Sequence, residues 1–205
     1  MTHRDAMDTP VAALVLAAGR SKRFGSDKRR AKLSGDLTLL EQSLRVFDAA
    51  DIPIFLCLSS RHQDDDLEQS LAASHRHVIR CDQSESGMGA TLAQGIKKIP
   101  GHFSVLVALG DMPFLLSATV RRLVAESRNE RIVFPTYRGR RGHPVLFGPS
   151  FRAELEALDG DEGAASVLKS HADFCVAIPV DDPGVLTDID TPESMKRVIS
   201  TTAVD

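Results

Sequence analysis

The chain has 205 residues, 42% of them hydrophobic and 26% charged, the profile of a soluble globular protein long enough to build a substantial core. A formal net charge of −3, an aromatic content of 5%, no Trp and one Tyr argue against a general nucleic-acid binder or a base-stacking single-strand module. Three scattered cysteines, Cys57, Cys81 and Cys175, without C-x-x-C spacing suggest neither a disulfide framework nor a zinc site. Met1 to Pro10 is polar and mixed in charge, which reads as a flexible N-terminus rather than a signal segment. The longest apolar run, Val11–Ala18, is too short to span a bilayer, so the expected setting is the cytoplasm, away from membranes.

Strand-like runs alternate with amphipathic helical stretches. Val11–Ala17 reads as a strand, followed by a glycine-containing basic loop and a helix opening at Thr38, where Thr38 and Glu41 form a capping box. Ile54–Leu58 and His77–Cys81 read as strands separated by a helix over Gln63–Ala73, and a Gly87-Met88-Gly89 loop opens a helix to Lys98. Ser104–Leu109 is a strand and Ser117–Ser127 a helix. Ile132–Tyr137 and Val145–Phe147, joined through Arg138–Gly142, read as an antiparallel excursion over the rim of the sheet. Gly160–Ala164 reads as a helix start capped by Asp161, Phe174–Val180 as a strand, and Thr191-Pro192-Glu193 as the start of a final helix. Single helices between strands require right-handed crossovers, so the pattern predicts one three-layer α/β domain over residues 1–205 with a mostly parallel sheet.

In such sheets ligands bind beyond the carboxyl ends of the strands, and the unusual residues of this chain cluster there. Leu16-Ala17-Ala18-Gly19 leads into a loop holding Arg20, Lys22, Arg23, Lys28, Arg29, Arg30 and Lys32 against the single acid Asp27. That loop is either an exposed cationic surface or a polyphosphate cradle, and its spacing matches neither G-x-x-x-x-G-K-[ST] nor G-x-G-x-x-G. Asp111, closing the fourth strand, is either a turn residue or a carboxylate for Mg²⁺ beside a triphosphate. Asp190 is either a second metal ligand or a cap for the last helix. Gly87 and Gly89 leave helix amides for an anion or a base edge, or form a plain turn. Arg141 and His143 place a cation and an imidazole on the hairpin, suited to an anionic acceptor if they are not merely exposed. The run Asp64-Asp65-Asp66 falls in the first turn of its helix, where acids favour the dipole, and takes no function.

Together, Leu16–Lys28, Gly87–Gly95, Gly110–Pro113, Gly142–Phe147, Gly160–Ala164 and Asp188–Glu193 resemble, in order, the motifs of the molybdopterin nucleotidyltransferases, and most closely the molybdenum cofactor cytidylyltransferases. The resemblance spans nearly the whole chain. It implies a Rossmann-like nucleotidyltransferase fold that binds an NTP with Mg²⁺ and transfers CMP from CTP to a molybdopterin-type phosphate acceptor, releasing pyrophosphate. Leu16, Ala17, Ala18 and Gly19 would lie against base and sugar, Arg23 and Lys28 would grip the triphosphate, Asp111 and Asp190 would hold the metal, and Asp82 would contact the nucleoside. A molybdoenzyme or its maturation factor would be a further partner. Ala18 stands where the guanylyl branch tends to have a second glycine, and Leu16-Ala17-Ala18-Gly19 resembles the cytidylyl branch, which favours CTP; Asp190 stands where the guanylyl branch tends to have asparagine. Phe24 replaces a usual methionine. Ala165 replaces a common arginine and so removes a cation from the acceptor side. The competing expectations are a GTP-dependent relative, an enzyme for another small phosphorylated acceptor, and a non-catalytic cofactor carrier.

Overall fold

The computed structural model describes residues 9–33, 36–61, 64–71 and 76–202. Among the described residues eight strands form one sheet: β1 (Val11–Leu16), β2 (Ile54–Ser59), β3 (Arg76–Cys81), β4 (Ser104–Leu109), β5 (Ile132–Tyr137), β6 (Arg140–Arg141), β7 (Val145–Phe147) and β8 (Cys175–Pro179). The helices are α1 (Leu39–Asp48), α2 (Asp65–Leu71), α3 (Met88–Ile96), α4 (Ser117–Ala125), α5 (Arg152–Glu156), α6 (Ala165–Ser170) and α7 (Pro192–Thr202). The order β3-β2-β1-β4 is parallel throughout, and β5 is parallel to β8. This is the three-layer α/β architecture expected from the alternation of strands and helices.

Each face of the sheet has its own apolar layer because strand side chains alternate in direction. Val11, Ala13 and Val15 of β1 face a cluster containing Leu40, Leu44 and Phe47 of α1, Leu67 and Leu71 of α2, and Val120 and Leu123 of α4. Ala12 and Leu14 face the other way, toward Leu92 and Ile96 of α3, Leu155 of α5, and Val167 and Leu168 of α6. α3 lies close because Gly95 has no side chain: a Cβ there would stand 2.6 Å from Leu14 Cδ1 and 2.7 Å from Cys57 Sγ. Cys57 and Cys81 are buried and Cys175 is half-buried.

Several expectations change at the level of particular residues. β7 is not laid over the rim; it is inserted in the sheet, antiparallel to both β4 and β5. The β5 register shifts by two residues between its pairings with β6 and β7, and Gly142-His143-Pro144, with a cis His143–Pro144 bond, forms the interruption. The helix begins at Ala165 with Ala164 at its N-cap and no side-chain cap, so Asp161 does not cap it. α2 spans Asp65–Leu71; the ends of the expected Gln63–Ala73 helix lie outside the described residues. Of the N-terminal segment expected to be flexible, residues 1–8 lie outside the described residues. Thr9 and Pro10 are tied down: the Thr9 hydroxyl bonds the hydroxyls of Ser104 and Ser127, and the Pro10 carbonyl accepts from the Ser104 amide at 2.8 Å.

The capping predictions hold at two helices. Thr38 Oγ1 accepts from the Glu41 amide at 3.3 Å while Glu41 Oε2 accepts from the Thr38 amide at 2.8 Å. At α7 Thr191 exchanges bonds with Ser194 at 3.1 Å in both directions, and Glu193 is the acid of the first turn. α4 has no cap of its own at Leu116; the buried Asp182 supplies one from a distant part of the chain. Its Oδ2 accepts from the Leu116 amide at 3.0 Å and the Thr119 hydroxyl at 2.6 Å, and its Oδ1 from the Gly184 amide at 2.9 Å.

Candidate active site

A cavity of about 560 Å³ opens at the carboxyl ends of β1 and β4. Its floor is Leu16-Ala17-Ala18-Gly19 and Leu109-Gly110-Asp111; Arg20, Ser21, Lys22, Arg23, Lys28 and Arg29 form one side, and Ser84, Glu85, Gly87, Met88, Thr91 and Asp161 the other. Asp188 and Asp190 complete the lining. The volume suits a nucleotide-sized ligand.

At one end stand three carboxylates, Asp111, Asp188 and Asp190, with oxygens within 4.8 Å of one another. Asp111 is placed by the end of β4. Asp188 and Asp190 flank Ile189, whose side chain is fully buried and whose amide donates to the Asp111 carbonyl at 3.0 Å. That anchoring brings the two outer carboxylates to the same spot as Asp111. Lys28 Nζ bridges the group, 2.6 Å from Asp111 Oδ2 and 2.8 Å from Asp190 Oδ1, and Arg23 Nη2 reaches Asp190 Oδ2 at 2.9 Å. Burial raises the Asp111 carboxyl above its ordinary value; Lys28 opposes this, and Asp188 and Asp190 add to it. The Lys28 hydrogen bond holds Asp190 below its ordinary value despite partial burial. Burial acts against the Lys28 ammonium, but Asp111 and Asp190 outweigh it and raise its pKa. Asp111 Oδ1 is buried with no hydrogen-bond partner. An all-oxygen donor set with one buried carboxylate oxygen left unpaired suits a hard divalent cation.

The other cations of the loop act differently. Arg29 is buried: it donates to Asp64 at 2.9 and 2.6 Å, to Asp27 at 2.8 Å through Nε and again through Nη2, and to the Ala17 carbonyl at 2.9 Å. Arg30 donates to Asp66 at 2.9 and 2.7 Å, and Arg80 pairs with Asp65. The run Asp64-Asp65-Asp66 is therefore the counter-charge of the basic loop and its neighbours as well as the lead into α2, and Asp27 is not the loop's only counter-charge. At the mouth Arg20 pairs with Glu85 across the cavity.

The far wall depends on two glycines. Gly87, at φ +131°, would place a Cβ 2.2 Å from the Gly160 carbonyl oxygen, and the Gly89 amide donates to that same oxygen at 2.8 Å. The Gly89 amide is thus committed to the protein rather than to a ligand, and Gly89 does not line the cavity. Asp82 accepts from Gln94 and likewise lies off the lining. Arg141 and His143 are also outside it. His143 is half-buried rather than exposed. Burial and the Arg141 charge lower its pKa against the pull of Asp111 and Asp188, and its Nδ1 is buried without a partner. The residues expected in the site that do converge are Leu16, Ala17, Ala18, Gly19, Arg23, Lys28, Gly87, Asp111 and Asp190. Sequence reasoning missed Asp188, Asp161, Met88 and Thr91. All four stand inside stretches that the sequence singles out, Met88 and Thr91 in Gly87–Gly95, Asp161 in Gly160–Ala164 and Asp188 two residues before Asp190.

A mostly parallel α/β sheet with a cationic loop facing clustered carboxylates at its strand ends is the arrangement of a nucleotidyltransferase. The chain belongs to the MobA-like NTP transferase domain family, whose model matches residues 13–174. It is similar to the purine catabolism protein PucB of Bacillus subtilis, 29% identical over 193 residues that cover 89% of this chain and 93% of that protein. Nicotine blue oxidoreductase of Paenarthrobacter nicotinovorans is 28% identical over 197 residues, covering 92% and 96%. A probable molybdenum cofactor guanylyltransferase of Chloroflexus aggregans is 28% identical over 115 residues, covering 55% and 51%. Among solved structures, a Methanothermobacter nucleotidyl transferase superposes with a TM-score of 0.80 at 21% identity, covering 95% of this chain and 98% of that one. Rv0371c of Mycobacterium tuberculosis, in complex with manganese, gives 0.77 at 23%, covering 95% and 100%. Among the described residues no helix is long and apolar enough to cross a membrane.

Proposed function

We propose that this chain, as a single nucleotidyltransferase domain, transfers CMP from CTP to the terminal phosphate of a molybdopterin-type acceptor and releases pyrophosphate. The observation that carries this reading is the convergence of Lys28 and Arg23 with Asp111, Asp188 and Asp190 at one end of a nucleotide-sized cavity.

The acceptor is a phosphate monoester, already largely dianionic at pH 7 because its second pKa is about 6, so no general base is required. The chain's task is to bring two anions together and keep them aligned. Lys28 and Arg23 hold the phosphates and offset their charge. The Leu16–Gly19 turn lets the backbone approach base and sugar closely, and Met88, Thr91 and Asp161 face the nucleoside from the opposite wall. A divalent cation, Mg²⁺ in this reading, would be held by Asp111 and Asp190 with Asp188 beside them, and when bound it supplies charge neutralisation on the phosphate oxygens. The manganese complex of Rv0371c supports a divalent cation in this fold. Arg141, at the end of β6, and His143, just before β7, lie on the side of β5 that leads to β4 and serve the acceptor. His143, held neutral, does so by hydrogen bonding rather than by charge.

Ala18, in the Leu16–Gly19 turn, supports CTP through the resemblance to cytidylyl enzymes. The relative named as a guanylyltransferase supports the acceptor class and makes GTP the second reading. The test is a thermal-shift series with CTP, GTP, ATP and UTP, with and without Mg²⁺, followed by pyrophosphate release with acceptor. A nucleotide at about 100 times its dissociation constant stabilises by about 2.7 kcal/mol, a shift of roughly 5–10 °C for this length. A Mg²⁺-dependent shift with CTP alone supports the proposal, the same shift with GTP alone replaces it by the guanylyl reading, and no shift with any nucleotide favours a cofactor carrier.

A further inference from the structure

Lys28 stands where a divalent cation would have to go. Its ammonium is 2.6 Å from one Asp111 oxygen and 2.8 Å from one Asp190 oxygen, and Arg23 takes the second Asp190 oxygen at 2.9 Å. These are lone pairs that a hard cation would need, on two of the three residues of the acidic cluster. Asp111 keeps one oxygen, Oδ1, buried and without a partner, so the ammonium fills this carboxylate pocket only in part. The Lys28 side chain is 15% exposed and that of Asp111 17%, so their attraction is screened less than that of a surface pair.

We propose that Lys28 is an internal counter-ion that occupies the cation position until a triphosphate draws it away, so that the divalent cation and the nucleotide are taken up together. The proposal rests on the metal-dependent reading above. A cation arriving alone must displace the ammonium and leave it beside a second positive charge, half-buried and without an acceptor. An NTP provides acceptors: its phosphate oxygens receive Lys28, which swings on four methylenes, and the carboxylates are then free. One ammonium cannot serve both sets of oxygens, so the site has two alternative pairings. By linkage, the factor by which nucleotide raises cation affinity equals the factor by which cation raises nucleotide affinity. Lys28 is thus a positioning residue for the cation in addition to its contact with the phosphates.

The experiment is titration of the full chain with Mn²⁺ alone, read by calorimetry and by the electron paramagnetic resonance of free Mn²⁺, with no turnover involved. Lys28→Met and Lys28→Gln are expected to bind Mn²⁺ at least tenfold more tightly than wild type. Lys28→Arg, which keeps the charge, is expected to stay at the wild-type affinity. Adding Asp111→Asn to Lys28→Met is expected to abolish the gain. Equal or weaker Mn²⁺ binding by both neutral variants, while wild type with CTP or GTP binds Mn²⁺ tightly, overturns the counter-ion role and leaves the metal-dependent reading standing. A gain that survives Asp111→Asn also overturns it, because the ion is then held elsewhere. Absence of Mn²⁺ binding by wild type with every NTP overturns the metal-dependent reading itself.

Discussion

Replacing Arg29 with Met removes the guanidinium that ties the basic loop to α2 and leaves its hydrocarbon stem largely in place. Asp64 is then a carboxylate with 0% side-chain exposure whose remaining donors are the Ser59 amide at 3.1 Å and hydroxyl at 2.6 Å. Removing one member of a buried ion pair costs about 3–5 kcal/mol, because the survivor keeps its desolvation penalty without its partner. The Ser59 donors offset part of that penalty and Asp27 regains access to water, so about 3–4 kcal/mol is expected, a fall in Tm of roughly 6–16 °C at this length. Urea denaturation at pH 7 measures it. Asp64→Asn, which keeps the shape and leaves Arg29 paired with Asp27, is expected to cost less, and the double variant less than the sum of the two.

The pH dependence has a definite sign. Burial acts to raise Asp64, but Arg29 and Ser59 outweigh it and hold its carboxyl below the ordinary 3.8; Asp27 is likewise held below 3.8 by Arg29 and then Arg30, against burial. A carboxyl depressed by folding contributes stability that is fully present above its unfolded value and is lost as pH falls through the folded one. The stability gap between wild type and Asp64→Asn is therefore expected to be constant from pH 7 down to about pH 5 and to narrow below 3.8. An Arg29→Met variant within about 1 kcal/mol of wild type at pH 7, or a gap that widens in acid, would refute the reasoning.

Lys28→Ala and Asp111→Asn should each reduce turnover at least tenfold with the circular dichroism spectrum and cooperative melt retained; near-wild-type turnover in either sinks the site assignment. Asp182→Ala strips the Leu116 amide, the Thr119 hydroxyl and the Gly184 amide of a buried acceptor. It should cost about 2–4 kcal/mol in chemical denaturation, since charged hydrogen bonds are worth about 1.5–3 kcal/mol each and some donors recover water. Gly87→Ala places a Cβ 2.2 Å from the Gly160 oxygen at a φ of +131°. It should lower nucleotide affinity at least tenfold by displacing the far wall, measured by calorimetry, and an unchanged affinity would show that this wall does not touch the ligand.

What is legible in the sequence is what local chemistry determines. Ser104–Leu109, Ile132–Tyr137 and Val145–Phe147 can be read to the residue because turn-forming residues bracket short β-rich runs. Thr38 and Glu41 lie within one helical turn, so their reciprocal bonds are visible as spacing. The first-strand turn and Asp111 are legible because ligands in this architecture gather at strand ends. The failures all involve partners far apart in the chain. Arg29 looks like a phosphate ligand because Asp64 is 35 residues away, and the Asp64–Asp66 run looks idle for the same reason. Asp182 caps α4 through the Leu116 amide, 66 residues earlier in the chain. Local pattern makes Asp161 a cap, whereas the backbone packing of Gly87 against Gly160 turns it toward the cavity.

The three carboxylates are also separated in synthesis. Asp190 reaches the Lys28 ammonium across 162 residues, and Lys28 meets Asp111 across 83. The segment carrying Asp188 and Asp190 is seated by the Asp182 contacts to α4 and by the pairing of β8 with β5, itself part of a sheet completed by β7. A chain emerging from the ribosome can therefore pair β1, β2 and β4 and form much of the cavity floor while two of the three acids are still unplaced. Until that late segment docks, the basic loop has an incomplete counter-charge, and a nascent chain exposes cations that the finished molecule keeps paired.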